Sequence, residues 1–138
     1  MAFENPSRDR IKDILKGAGN IAVVGLSDNP DRDSHMVSAA MQARGYRIIP
    51  VNPNAKEILG EVCYASLSDI TDPVDIVNVF RRSEHVFPFA EEAVKIKAKV
   101  LWLQQGIINN EAAEYAASHG LVVIQDRCIK VEEALLMH

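Results

Sequence analysis

Five short, predominantly apolar runs, interrupted only by Arg47 and Asn78 and alternating with helix-forming stretches, constrain this 138-residue chain more than any other feature. They are Ile21-Ala22-Val23-Val24-Gly25, Tyr46 to Val51, Ile76 to Phe80, Val100 to Leu103 and Leu121 to Ile124. None shows the polar alternation of a half-buried strand. Continuous runs of this length mark strands buried on both faces, the condition of a parallel sheet covered by helices. The intervening segments supply the helices. Pro6-Ser7 opens one from about Ser7 to Lys16, stopped by Gly17 and Gly19. Ser34 is placed to N-cap a second, with Met36, Val37, Ala40 and Met41 as its apolar face and Gly45 as its end. A third covers Glu84 to Lys97. Asn109 or Asn110 caps an alanine-rich fourth ending at His119-Gly120, and a last helix follows Lys130.

Strands joined by helices imply βαβ units with right-handed crossovers. Two such halves give an α/β, Rossmann-like, doubly wound sheet of about five parallel strands with helices on both faces. The length suits one domain spanning 1–138, able to bury roughly two-thirds of the surface of its unfolded chain. It therefore needs neither disulfide nor metal, and Cys63 and Cys128 form no zinc or thioredoxin pattern. A net charge of −4 argues against a nucleic-acid or acidic-membrane binder, which needs a basic face. No apolar stretch approaches a membrane span, and Met1-Ala2-Phe3-Glu4-Asn5-Pro6 is no signal peptide, so a cytoplasmic location is expected.

Ligands of such sheets sit beyond the C-terminal strand ends, where the strand order reverses. That directs attention to Gly25 to Ser34, Asn52 to Lys56, Phe80 to Glu84, Gln104 to Ile107 and Gln125 to Cys128. The first strand ends in Gly25-Leu26-Ser27-Asp28-Asn29-Pro30, which keeps only one glycine of G-x-G-x-x-G. The second ends in Val51-Asn52-Pro53, without the acid that takes the ribose hydroxyls of NAD. NAD is disfavoured on both counts, and no ATP-type P-loop is present. The loop Ser27 to Asp33 still leads to a helix start at Ser34, His35 and Met36, where free amides favour an anion. Ser27 and Ser34 can donate hydroxyls and Arg32 can supply charge. The plainer reading, that Ser34 caps a helix and the loop is only a loop, stays open on these residues alone.

Several stretches are familiar together. Ile21-Ala22-Val23-Val24-Gly25-Leu26-Ser27, then Gly45-Tyr46-Arg47-Ile48-Ile49-Pro50-Val51-Asn52-Pro53, then Gly60 within Ile58-Leu59-Gly60-Glu61, resemble the stand-alone CoA-binding proteins of the YccU type. Gln104-Gln105-Gly106 and Asp126-Arg127-Cys128 extend the resemblance from about Ile11 to Glu132. That family is similar to the N-terminal domain of the succinyl-CoA synthetase α subunit. The resemblance implies coenzyme A or an acyl-CoA as ligand. Gly25, Leu26, Ser27, Pro30, Arg32 and Ser34 would hold the pyrophosphate, with His35 as a further donor or a surface residue. Val51, Asn52 and Pro53 would line the adenine and ribose side. Lys56 would take the 3′-phosphate, although Asn54 fills a position where relatives often carry a basic residue. Phe80, Arg81, Gln104, Gly106 and Ile107 would border the pantetheine arm.

Plainer roles stand beside these. Arg81-Arg82 can be a solvated pair, His119 a helix-end histidine, and Met36 and Met41 core residues of one helical face. His85 and His138 have no partner visible in the sequence. Cys63 reads as a small hydrophobe, whereas Cys128, beside Arg127, stands where a CoA thiol could form a mixed disulfide. Asp69, Asp72 and Asp75 flank Pro73 and read as caps and solubilising groups. No H-E-x-x-H, G-x-S-x-G or metal-ligand cluster is present. The phosphorylated histidine of succinyl-CoA synthetase lies in a later domain with no counterpart in this sequence, so its chemistry does not carry over. The residues favour a binding module without catalytic residues. A subunit of an acyl-CoA enzyme needing a partner, an atypical NAD(P)-binding redox protein, and a homodimer remain the alternatives.

Overall fold

The computed structural model describes residues 3–137, so Met1, Ala2 and the terminal His138 weighed above lie outside it. Along the chain come α1 (Arg8–Gly17), β1 (Asn20–Val24), α2 (Asp33–Ala43), β2 (Arg47–Val51), β3 (Glu57–Ile58) and β4 (Glu61–Val62). They are followed by β5 (Ile76–Val79), α3 (Phe87–Lys95), β6 (Val100–Leu103), α4 (Asn110–Ser118), β7 (Val122–Ile124) and α5 (Ile129–Leu136). The five apolar runs form one sheet in the order β2-β1-β5-β6-β7, every pair parallel. The chain winds outward from β1 to β2, then returns to the other side of β1 and winds away through β5, β6 and β7. The order reverses between β1 and β5, and a ligand crevice belongs there.

Strand pleating sends alternate residues into two separate cores. Ile21, Val23, Ile48, Ile76, Val100, Trp102 and Ile124 pack with Ile11 and Leu15 of α1, Val37 and Met41 of α2 and Ile129 of α5. Ala22, Val24, Ile49, Val77, Val79, Leu101, Leu103 and Val123 pack with α3 and α4. Those two helices meet the sheet through Ala90, Ala93, Ala112, Ala113 and Ala116, all fully buried, which lets both backbones lie close to it. Trp102 is fully buried in the first core, and its indole N–H donates to the Arg127 carbonyl at 2.8 Å. The pairing satisfies a polar group that burial would otherwise penalise.

Some local expectations need correcting. Ser34 does not cap α2: the cap position is Arg32, without a side-chain bond, and Ser34 lies buried inside the first turn. Met41 is in the core as expected, but Met36 is 49% exposed, because it falls outside the Ser34, Val37, Ser38 and Met41 face. The stretch expected as one helix from Glu84 is a 3₁₀ turn at Ser83–His85 followed by α3, with Pro88 in the first turn of α3. Between β2 and β5 runs no α-helix but the antiparallel β3–β4 hairpin and a 3₁₀ turn at Leu67–Asp69. Leu67, Ile70 and Val74 anchor that connection to the α3–α4 core. Two-residue strands leave no periodicity to read.

Other caps stand as expected. Ser7 accepts from the Arg10 amide at 3.3 Å, and Asn109 from the Ala112 amide at 3.0 Å. Asp75 does more than solubilise its loop. Its carboxylate accepts from the Gly19 and Asn20 amides at 2.8 and 2.9 Å and pairs with Lys99 at 3.3 Å, tying β1, β5 and β6 together at their starts. Burial alone would raise its pKa, but these amides and Lys99 outweigh burial and hold the carboxyl below its ordinary value.

A carboxyl whose folded pKa is depressed stabilises the fold above its unfolded pKa and loses that contribution as pH falls through the folded value. Asp75→Asn is therefore expected to cost about 1–2 kcal/mol of unfolding free energy near neutrality. The gap from wild type should shrink below about pH 4. Urea denaturation of both proteins at neutral and acid pH measures it; a gap unchanged by acid would show that the charge is not what matters.

Candidate functional site

Three hollows lie end to end along the C-terminal edge of the sheet. The first, about 350 Å³, sits beyond β2 and is lined by Val51, Asn52, Pro53, Asn54, Ser66, Arg81, Phe89 and Glu92, together with Gly25. The second, about 550 Å³, lies at the reversal point and is lined by Gly25, Ser27, Asp31, Arg32, Asp33, Ser34 and Phe80. The third, about 470 Å³, extends beyond β6 and is walled by Met36, Val37, Phe80, Gln104, Gln105, Ile107, Cys128 and Val131, with Asp33 and Lys130. Gly25 borders the first two, and Phe80 and Asp33 border the second and third. They form one path across the sheet edge, polar in its middle and mainly apolar beyond β6.

The middle hollow exists because β1 ends in glycine. Gly25 has φ +80°, and a Cβ there would lie 2.9 Å from the Phe80 carbonyl oxygen and 3.0 Å from Cδ of Arg81. Its amide donates to the Val51 carbonyl at 3.1 Å, while the Phe80 amide donates to the Val24 carbonyl at 2.9 Å. The chain can therefore turn out of the sheet in contact with the end of β5. Leu26 then dives back, fully buried among the α1, α2 and α5 side chains, so it offers the site only backbone.

The loop that follows is held by its own side chains. The Ser34 hydroxyl accepts from the Ser27 amide at 3.0 Å, and the Ser27 hydroxyl accepts from the Asn29 amide at 3.0 Å. Each hydroxyl that accepts an N–H keeps its own proton to donate. The amides of Asp33 and Ser34, in the first turn of α2, have no partner among the described residues. Donors thus face the hollow from the helix end and from two hydroxyls, a chemistry suited to phosphate oxygens. The loop's formal charge works the other way, with Asp28, Asp31 and Asp33 against Arg32. Arg81 supplies a further cation from the end of β5, its guanidinium 5.6 Å over the ring of Phe89.

Asn52 stands where a dinucleotide-binding strand carries an acid, and its side chain is committed to the fold. Its amide nitrogen donates to the Leu26 carbonyl at 3.0 Å, and its amide oxygen accepts from the Asn54 amide at 2.8 Å. This locks the loops after β1 and β2 together. The Cys63 thiol donates to the Asn52 carbonyl at 3.4 Å; burial pushes its pKa up, partly opposed by that bond. Gln104 is also committed: its amide donates to Asn78 at 2.6 Å, and its oxygen accepts from the Ile129 amide at 3.4 Å. Among the expected residues, Gly25, Ser27, Arg32, Ser34, Val51, Asn52, Pro53, Phe80, Arg81, Gln104 and Ile107 all line the path. Arg81, however, expected beside the pantetheine arm, lines the hollow beyond β2 instead, because its side chain runs past Gly25 towards Phe89.

Pro30, His35, Lys56 and Gly106 do not line it. Pro30 and Lys56 are exposed and His35 is half-buried, whereas Gly106 turns with φ +85° and donates its amide to Asp126 at 2.7 Å. Gly106 therefore shapes the loop rather than the wall. Asn54, not Lys56, borders the hollow beyond β2. The wall residues not foreseen include Phe89 and Glu92 of α3, Met36 of α2 and Val131 of α5. Phe89 lies in the first turn of α3 and Glu92 in the second, both well beyond the end of β5 at Val79, so a search confined to the residues just after each strand passes over them. No described helix is long and apolar enough to cross a membrane, and no described group of three or more His, Cys, Asp or Glu is placed to hold a metal.

Residues 19–134 match the family model described as the CoA binding domain. The Bacillus subtilis (strain 168) protein YneT is 54% identical over 133 residues, covering 96% of this chain and 98% of that protein. A hypothetical protein from Pyrococcus horikoshii OT3, solved as a structure, superposes with a TM-score of 0.93 at 34% identity and full coverage of both chains. The dinucleotide-forming acetyl-coenzyme A synthetase 1 of Ca. Korarchaeum cryptofilum superposes with a TM-score of 0.70 at 27% identity. That match covers 78% of this chain and 26% of the synthetase.

Gly25→Ala is expected to destabilise the protein by about 2–3 kcal/mol, from the positive φ and the contact with Phe80 together. Gly60→Ala, at φ +75° with no atom near its Cβ, should cost less, about 1 kcal/mol. Equal losses in urea denaturation would mean that the close approach to Phe80 imposes nothing.

Proposed function

This chain belongs to the CoA-binding domain family, and we propose that it holds coenzyme A, free or acylated, along the path at the C-terminal edge of its sheet. What carries the reading is the sequence of environments on that path: a turn-lined hollow beyond β2, donors at the reversal point, and apolar walls beyond β6. Coenzyme A presents groups in that order, from adenosine through pyrophosphate to the pantetheine arm. Val51, Asn52 and Pro53 would face the adenosine, with Arg81 and Phe89 closing the opposite side. The Asp33 and Ser34 amides, the Ser27 and Ser34 hydroxyls and Arg32 would hold the pyrophosphate. The fit rests on the space that Gly25 leaves beside Phe80 and on those two unpartnered amides. Arg81 and Arg32 would offset the acidic loop charges, so affinity should fall with added salt.

The pantetheine arm would run past Phe80 towards Ile107 and Gln104. Coenzyme A brings its own reactive thiol, and the chain would supply binding and orientation rather than bond-making groups. Lys56, the sole cation between Val51 and Val62, would reach the 3′-phosphate from outside the lining residues. In calorimetric titrations, coenzyme A should bind, and dephospho-CoA should bind about 5- to 30-fold more weakly, the ratio for one charge-assisted contact of ~1–2 kcal/mol. Lys56→Ala should remove most of that ratio. If the ratio survives in Lys56→Ala, another residue holds the 3′-phosphate. Binding of NAD with no binding of any CoA compound would overturn the whole reading.

A second reading has its own support. The chain matches about a quarter of an acetyl-coenzyme A synthetase, so it can serve as the CoA-holding part of an enzyme whose bond-making residues lie on another chain. In that case a co-purifying protein and this chain should form acyl-CoA together while neither does so alone.

A further inference from the structure

We infer that the hollow beyond β6 selects CoA thioesters carrying an aliphatic, uncharged acyl chain over free coenzyme A, a refinement that rests on the binding reading above. The polar groups of the path are concentrated at the reversal point, so the charged part of the ligand is held there. Phe80 borders both that hollow and the next, and directs the arm that leaves it into walls of Met36, Val37, Ile107 and Val131. Two of these side chains are conspicuous. Met36 is 49% exposed and Val131 47%, and neither is part of the sheet's two cores. They come from different helices, α2 and α5, yet face one cavity of about 470 Å³. A free thiol ending in this hollow leaves both partly in water. An acyl chain on the thiol would cover them.

The same walls are poor for a carboxylate at the end of the acyl group. One N–H of the buried Gln104 amide is given to Asn78 at 2.6 Å, and the exposed Gln105 offers only a neutral amide. Lys130 is the one cation among the lining residues, and Asp33 opposes it from the side shared with the middle hollow. Burial of methylenes is then the main energy available, about 0.8 kcal/mol each, which corresponds to roughly a three- to fourfold gain in affinity per methylene.

The test is a titration series of the full chain with coenzyme A, acetyl-, butyryl-, hexanoyl-, octanoyl- and succinyl-CoA. Affinity is expected to rise along the aliphatic series at up to that ratio per methylene, with succinyl-CoA weaker than butyryl-CoA. Met36→Ser and Val131→Ser, both at half-exposed positions that the fold tolerates, should flatten the rise with chain length. Alkylation of Cys128, which lines the same hollow, should slow with octanoyl-CoA bound more than with coenzyme A. An affinity that stays at the coenzyme A value along the whole series would overturn the inference and leave the CoA-binding reading standing. Succinyl-CoA binding above butyryl-CoA would also overturn it and point to Lys130. If no CoA compound binds, the failure lies in the underlying reading.

Discussion

The close approach of Gly25 to the end of β5 is the contact on which the rest of the site depends. A parallel sheet whose order reverses must let two neighbouring strands send their chains to opposite faces, which opens a crevice between them. Here the crevice lies between β1 and β5, and any side chain at Gly25 would meet the Phe80 carbonyl at 2.9 Å. Without a Cβ the chain leaves β1 at φ +80°, keeps its amide on the Val51 carbonyl, and still reaches the start of α2. The amides of Asp33 and Ser34, without a partner among the described residues, then belong to the wall of the middle hollow. One conformational freedom, at one residue, thus joins the sheet's topology to the donor geometry at its edge.

The loops around this crevice are braced by side chains that sequence reading assigns readily to ligand contact. Asn52 binds the loop after β1 to its own turn, and Gln104 joins β5, β6 and the start of α5. Farther along, the Gly106 amide donates to Asp126 while the Asp126 amide donates to the Ile107 carbonyl, and Ser83 accepts from the Ile108 amide. Loops carry function more safely when a rigid scaffold positions them. These bonds extend the scaffold beyond the strand ends, so that hollows supplied by five different connections keep fixed positions relative to one another. A neighbouring pair of carboxylates holds the last wall: Glu133 pairs with Arg44 of the α2 end at 3.0 Å, and Glu132 faces Arg8 of α1 at 3.8 Å. Through them α5, which carries Cys128 at its cap and Val131 in its first turn, is tied to both neighbouring helices.

The electrostatics of the path are less one-sided than a phosphate ligand alone would suggest. Asp28, Asp31 and Asp33 crowd the loop that offers its amides, and Arg32 and Arg81 stand against them. Oriented N–H groups bind an anion at short range, where geometry decides, while net charge acts over longer distances that salt screens. A site of this kind discriminates by fit more than by attraction. The change from polar to apolar walls along the path fits a ligand that is itself charged at one part and aliphatic at another.

The order of the five sheet strands and their α-helices, the parallel sheet and its burial on both faces were legible in the sequence, whereas the β3–β4 hairpin was not. Unbroken runs such as Ile21 to Val24 have no other comfortable location, and local capping chemistry at Ser7 and Asn109 marks the helix starts. The strand ends pointed to most of the path's walls, because residues just after parallel strands share one edge whatever the details. What the sequence did not determine depended on distance in space. Ser34 looks like a cap in one dimension and lies inside the first turn in three, its hydroxyl bonded to Ser27. Asn52 and Gln104 look like free amides and are spent on neighbours 26 residues away. Phe89, Met36 and Val131 join the walls only because α3, α2 and α5 lie over the sheet as they do. Patterns of apolar residues are set by which face is buried and are written locally; the partners of a polar side chain are set by packing between segments remote in sequence, and only the folded chain decides them.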